Sequence, residues 1–159
     1  MIRVAVITVS DSVARGTRED RSGPAVRECA ERRGWSVEAS EVVPDDRECI
    51  ARVLVDLSDQ RGMSLIVTTG GTGVSERDVT PEATRAVVDR EIPGLGELMR
   101  AEGRKSTARA VLSRGIAGTR GRTLIVNLPG SPRGATESLE AVADLAPHIV
   151  DLLEGRTEH

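Results

Sequence analysis

The apolar run Leu65-Ile66-Val67-Thr68-Thr69 ends in Gly70-Gly71-Thr72-Gly73, and Arg77-Asp78-Val79-Thr80-Pro81 follows within a few residues. Glycines at the end of a buried strand let backbone N–H groups approach an anion, and a helix start just beyond them adds positive field. The chemistry on offer is phosphate handling, with Thr72 supplying a hydroxyl. A glycine cluster alone is more commonly an ordinary turn, but Asp78 adds a second element. A carboxylate about 4 Å from a phosphate charge, at an effective dielectric of about 20, is repelled by about 4 kcal/mol. A hard divalent cation, Mg2+, offsets that repulsion by taking oxygens from both partners, which makes Asp78 a candidate metal ligand. The competing reading is that Asp78 favours a helix starting at Pro81 with Thr80 as N-cap, worth about 0.3–1 kcal/mol. Local pattern leaves these two readings evenly balanced.

Two further polar loops carry candidate groups. Ser10-Asp11-Ser12 closes an apolar run, and Asn127-Leu128-Pro129-Gly130-Ser131 closes another. Asn127 and Ser131 have the donors and acceptors to meet a polar heterocycle, while Pro129 and Gly130 would shape a rim or simply make a turn. In Pro44-Asp45-Asp46, Asp45 stands at capping-box spacing from Glu48, so helix capping is its favoured local reading. Other chemistries have little support. No GxxxxGK[ST] or strand-following GxGxxG is present, and Lys105 is the only lysine. His148 falls in a helical pattern and His159 ends the chain, so neither a histidine base nor a Ser-His-Asp set is proposed.

The elements that must carry these loops alternate. Ile2–Val9 reads as a strand buried on both faces, and Ser22-Gly23-Pro24 begins a helix that Gly34 stops. A strand over 35–43 follows, then a helix with Ile50, Val53, Leu54 and Leu57 on one stripe, closed by Gly62. The strand 65–69, the glycine loop and a helix from Pro81 to about Arg90 come next. Helical segments run through Leu98 and Met99 and again near 110–112; 115–119 and 123–128 pair as a hairpin, and a last helix divides at Pro147. The order implies an α/β fold, a mostly parallel sheet covered on both faces, with ligands beyond the carboxyl ends of its strands.

With 159 residues, 38% hydrophobic and 30% charged, the chain reads as a single domain over 1–159. It has neither an apolar run long enough to span a bilayer nor a signal-peptide pattern, and a cytoplasmic protein without a membrane is expected. A net charge of -3 and one aromatic residue, Trp35, argue against nucleic acid as partner. Cys29 and Cys49 lack metal-ligand spacing and read as small hydrophobes; Arg21, Arg32 and Arg33 read as solvated charge.

The sequence resembles the MoaB/Mog domain family of molybdenum cofactor biosynthesis, in particular its molybdopterin adenylyltransferases. The resemblance rests on Thr69–Gly73, Arg77-Asp78-Val79-Thr80-Pro81-Glu82-Ala83-Thr84, Pro93-Gly94-Leu95-Gly96-Glu97-Leu98-Met99-Arg100, Leu112-Ser113-Arg114 and Asn127-Leu128-Pro129-Gly130-Ser131-Pro132, in that order. It implies a three-layer α/β/α sandwich with a mixed sheet, a homotrimer, and transfer of AMP from Mg-ATP to the terminal phosphate of molybdopterin, with another protein inserting molybdate afterwards. By the same resemblance Asp78 and Asp45 are catalytic and metal-linked, and Gly70, Gly71, Thr72 and Gly73 form the phosphate cradle. Thr80, Ser10, Asp11, Asn127, Pro129, Gly130 and Ser131 would border pterin or nucleotide. A noncatalytic molybdopterin carrier is the main alternative; a scaffold domain and a nucleotide pyrophosphate hydrolase are more distant ones.

Overall fold

Strand β1 (Arg3–Val9) places Val4 and Val6 on one face and Ala5, Ile7 and Val9 on the other, and every residue after Arg3 is buried. A strand apolar on both faces has to lie inside a sheet covered twice, and that is its position in the computed structural model, which describes residues 1–157. His159 lies outside the described residues. Six strands are ordered β2-β1-β3-β6-β5-β4, where β2 is Ser36–Val43, β3 Leu65–Thr69, β4 Arg90–Glu91, β5 Ala117–Arg120 and β6 Thr123–Leu128. β2, β1, β3 and β6 run parallel; at one edge β5 pairs antiparallel with β6 and β4 antiparallel with β5, so only β5 is reversed.

Two cores follow from the strand alternation. Val4, Val6, Leu65, Val67, Leu124 and Val126 face α2 (Ser22–Arg32), α5 (Pro93–Gly103), α6 (Pro132–Ala143) and α7 (Ala146–Leu153). Ala5, Ile7, Ile66 and Ile125 face α3 (Arg47–Val55), its following π turn and α4 (Thr80–Val87) through Ile50, Leu54, Leu57 and Ala83. Without Phe or Tyr, branched aliphatic side chains do this packing, each fully buried one stabilising by about 1.5–3 kcal/mol. The expected three-layer sandwich with a mostly parallel mixed sheet is the observed fold, and Pro147 does separate α6 from α7.

Several local expectations are corrected. The fourth helix starts at Thr80 and ends at Val87; Thr80 is inside it, and the N-cap, Val79, makes no side-chain cap bond. Val88 turns extended, Asp89 N–H donates to Thr119 O at 2.7 Å, and Arg90–Glu91 join the sheet as an unforeseen short strand. The N-cap of α3 is Asp46, which accepts from Cys49 N–H at 2.9 Å, so Asp45 is not the cap. Arg33 is not solvated charge: its guanidinium bridges Glu140 of α6 and Asp144 at the C-cap of that helix, at 2.8 and 2.9 Å. Cys29 is buried as expected, while Cys49 is only half-buried.

In the order β2-β1-β3 the chain leaves β1 toward one side and β3 lies on the other, so the switch point falls between the carboxyl ends of β1 and β3. Ser10 follows the first of these strands and Gly70 the second.

Candidate active site

The glycine loop is shaped by contacts that only glycine permits. Gly70 has φ +105, and a Cβ there would come closer than 3.0 Å to the carbonyl oxygen of Val9. Gly71 has φ +68, and a Cβ would press on Thr80 Oγ1 and lie 3.1 Å from Asp45 Oδ1. At Gly73 a Cβ would lie 2.7 Å from Asp78 Oδ2. The loop is therefore bracketed, Asp45 against its start and Asp78 against its end, with bare backbone between them.

Hydrogen bonds hold the loop on every side. Gly70 N–H donates to Leu128 O at 3.1 Å, and Thr69 Oγ1 donates to Pro129 O at 2.7 Å, which binds the loop to the Pro129-Gly130 turn. Thr80 is fully buried, and its hydroxyl donates to Gly70 O at 3.0 Å. Thr84 Oγ1 donates in turn to Thr80 O, and Asn127 Nδ2 donates to Thr84 Oγ1 and Thr68 Oγ1 at 2.9 and 3.1 Å. Asn127 Oδ1 accepts from Ile116 N–H at 3.2 Å, so the side-chain amide is engaged at both ends. Asn127 and Thr80 thus support the loop from behind.

An acidic clasp closes the other flank. Asp11 N–H donates to Asp45 Oδ2 at 2.9 Å, and Asp45 N–H donates to Asp11 Oδ1 at 3.0 Å, so the loops after β1 and β2 grip each other. Arg77 makes a two-pronged contact with Asp11, both bonds at 3.0 Å. Burial pushes the Asp11 carboxyl up, but the Asp45 amide and the Arg77 guanidinium outweigh it and hold the carboxyl below its ordinary value. Asp45 is pushed up, first by burial and then by the charges of Asp11 and Asp78, against the Asp45–Asp11 backbone bond and Arg77. Asp78 Oδ2 accepts from Ser75 N–H and Ser75 Oγ at 3.0 and 2.9 Å. Ser10 Oγ caps the short helix α1 (Asp11–Ala14), accepting from Val13 N–H at 3.3 Å.

A cavity of about 450 Å3 opens beside the loop. Gly71, Thr72, Gly73, Asp78, Asn127, Pro129, Gly130 and Ser131 line it, which unites most of the residues singled out in the sequence. Ser10, Asp11, Asp45, Gly70 and Thr80 do not line it; Asp11 and Asp45 form the clasp, Ser10 caps α1, and Thr80 holds Gly70, the first residue of the loop, through its carbonyl. His148 is on α7 and is not part of the lining. The opposite wall had not been assigned from sequence: Gly96, Met99, Arg100 and Gly103 of α5, with Arg109 and Ser113 beyond it. Their spacing is helical, and the small residues on that stripe were the available signal.

Among the described residues no cluster of three or more His, Cys, Asp or Glu forms that could hold a metal on its own. Two carboxylates flanking a bare phosphate-type cradle suit a cation that completes its shell with ligand phosphate oxygens and water, the manner in which Mg2+ is commonly bound. The residues present fit that role, and Asp45, with its charge opposed by two neighbouring carboxylates, would gain most from a cation.

The family described as probable molybdopterin binding domain matches residues 5–148. The chain is similar to the molybdopterin adenylyltransferase of Helicobacter pylori strain J99, 44% identical over 156 residues, covering 97% of this chain and 89% of that protein. Its similarity to the molybdopterin adenylyltransferase of Escherichia coli K12 is 37% over 174 residues, with 97% and 86% covered. Among solved structures, the molybdopterin biosynthesis enzyme MoaB of Thermus thermophilus superposes with a TM-score of 0.92 at 54% identity, covering 98% of both chains. Sequence motifs and sheet topology agree with these matches, and the chain belongs to the molybdopterin-binding MoaB/Mog family.

Proposed function

We propose that this chain is a molybdopterin adenylyltransferase of molybdenum cofactor biosynthesis, which transfers AMP from ATP to the terminal phosphate of molybdopterin in the presence of Mg2+. The observation that carries this reading is the glycine loop bracketed by Asp45 and Asp78 at the edge of a cavity of about 450 Å3, large enough for a substantial part of a pterin or nucleotide. A single domain over 1–159, a homotrimer, a cytoplasmic location and hand-over to a molybdate-inserting protein belong to the same reading. It is supported by the relatives' names, and no helix among the described residues is long and apolar enough to cross a membrane.

In the reaction an oxygen of the molybdopterin phosphate forms a bond to the α-phosphorus of ATP. The bond from that phosphorus to the α–β bridging oxygen breaks, and pyrophosphate leaves with the electron pair. The nucleophile is already an anion, so no side chain has to remove a proton. The protein's task is in-line placement and stabilisation of oxygens. Backbone N–H groups of residues 71–73 would receive phosphate oxygens, Thr72 and Ser131 would add hydroxyls, and the wall of α5 would confine the second substrate. Asp78 and Asp45 would hold Mg2+, which supplies neutralisation of phosphate charge when bound.

The test is incubation of the purified protein with molybdopterin, ATP and Mg2+, following pyrophosphate release and the adenylylated pterin. Asp78→Asn keeps an acceptor for Ser75 and should fold normally, yet turnover should fall by about 100-fold or more. Wild-type protein that binds molybdopterin without forming product would establish the carrier reading instead. Normal turnover by the variant would remove Asp78 from the mechanism.

A further inference from the structure

Arg114 is engaged far more heavily than its place in a connecting segment would suggest. Its N–H donates to Thr72 O at 2.8 Å, Nε donates to Gly73 O at 2.7 Å, and Nη2 donates to Asp78 O at 2.8 Å. The guanidinium is also paired with Glu82 on the first turn of α4, Nη1 to Oε2 at 2.7 Å and Nη2 to Oε1 at 3.2 Å. One residue thus holds three carbonyls of the segment that starts in the glycine cradle and ends at Asp78. Its own peptide is steadied by Arg100 of α5, whose Nη1 donates to Ser113 O and Gly115 O at 3.3 and 2.9 Å on either side of it. Arg114 does not line the 450 Å3 cavity; it lines an adjoining recess of about 270 Å3, together with Arg85, Glu91 and Arg100, the last of which lines both.

We propose that Arg114, braced by Glu82, is a positioning residue that turns the carbonyls of residues 72, 73 and 78 toward the back of the loop, keeping its N–H groups and the Asp78 carboxylate on the cavity side. The inference deepens the adenylyltransferase reading and rests on it for its kinetic consequence, but not for its structural one. A peptide carbonyl pointing at a polyphosphate repels it, so an unheld loop would present the wrong end of its dipoles to the ligand. Glu82 matters because a bidentate carboxylate fixes the plane of the guanidinium, and only one orientation serves both Gly73 O and Asp78 O. Lysine, with a single ammonium, cannot serve both carbonyls and Glu82 in that plane.

The experiment compares Arg114→Gln, Arg114→Lys, Glu82→Gln and the double variant Arg114→Gln/Glu82→Gln. Amide hydrogen exchange is measured on the ligand-free protein, and adenylylation kinetics on the same samples. Exchange at the amides of Ser75, Asp78 and Thr80, which are hydrogen-bonded within the loop segment, should accelerate by about tenfold or more in Arg114→Gln, while strands β1, β3 and β6 keep wild-type protection. Arg114→Lys should not restore the loop, and the double variant should be little worse than Arg114→Gln, because the two side chains act as one unit. kcat should fall about tenfold or more with the KM for molybdopterin nearly unchanged. Unchanged exchange at Ser75, Asp78 and Thr80, or acceleration spread evenly over the whole sheet, overturns the positioning role. If the wild-type protein shows no adenylylation at all, the functional reading fails, and the exchange result still decides the role of Arg114.

Discussion

Replacing Gly70 by alanine tests whether the cradle depends on absent side chains. Two costs add at this position. The backbone lies at φ +105, a region that costs an L residue about 1–3 kcal/mol. The new methyl would also be driven against Val9 O, a backbone atom of the central strand that cannot rotate away, and overpacking of this kind costs about 1–3 kcal/mol more. The sum, about 2–6 kcal/mol, is a large part of the roughly 5–15 kcal/mol that holds a domain folded. At about 2–4 °C per kcal/mol for a chain of this size, the midpoint of thermal unfolding should fall by roughly 5–20 °C. Gly121 is the internal control: it has φ +55 in the β5–β6 hairpin, and a Cβ there would meet nothing within 4 Å. Gly121→Ala should therefore cost only the backbone penalty, about 1–2 kcal/mol. Urea unfolding of both variants gives the difference directly. A Gly70→Ala protein as stable as Gly121→Ala would refute the close approach of the loop to β1.

Thiol labelling at pH 8 should distinguish the two cysteines. Burial and the neighbouring Glu140, which accepts its hydrogen bond at 3.0 Å, push the Cys29 thiol up to about 11, and the residue is fully buried. Cys49 is half-buried at the start of α3, so native protein should react slowly at one site per chain, with Cys29 following only on unfolding; equal rates would contradict the packing of α2 on α6. Acid sensitivity should appear at Glu140, whose carboxyl is held below its ordinary 4.5, first by the Cys29 thiol and then by Arg33. Because the folded value is the lower one, the stabilisation is present above pH 4.5 and disappears as pH falls through the folded value. Glu140 is about half exposed, so the effect is below about 1 kcal/mol, and Glu140→Gln should flatten the stability profile between about pH 3 and 5 without altering it elsewhere by more than that. Identical acid limbs for the two proteins would show that the contacts of Glu140 with Cys29 and Arg33 carry no net stability.

The parts of the fold that were legible are those in which one local pattern determines the outcome. β1, β3 and β6 are apolar on both faces, and no arrangement except an interior position in a doubly covered sheet removes that surface from water. β4 was not legible because two residues carry no period; it exists because Asp89 N–H and Ile92 N–H find carbonyls on β5. Spacing from Glu48 favours Asp45 as a cap on local pattern alone, but capping is decided by which oxygen reaches the third amide onward. A one-residue shift gave that role to Asp46. Arg33 could not be recognised as paired, since its carboxylates lie more than a hundred positions away. At the site the loops themselves were readable, whereas the α5 wall and Arg114 become functional only through convergence in space.

Five groups, Asp11, Asp45, Asp78, Arg77 and the glycine loop, explain why the site would accept one kind of ligand. Arg77 is spent on Asp11 in a two-pronged pair, so it opposes only part of the negative charge collected at the ends of β1, β2 and β3. Asp45 bears the remainder as a carboxyl pushed up by burial and by its two neighbours, an unfavourable arrangement if structure were its only purpose. A bare polyphosphate would worsen that repulsion, and a bare cation would leave the N–H groups of the loop unserved. A phosphate ester carrying its own divalent cation meets both requirements at once, with oxygens for the amides and positive charge for the carboxylates. The charge pattern around Gly71 thus supports a metal nucleotide as the species received there. It also gives the reason for splitting the two carboxylates across the loop: side by side on one strand, they would bind the cation without leaving room for the phosphate between them.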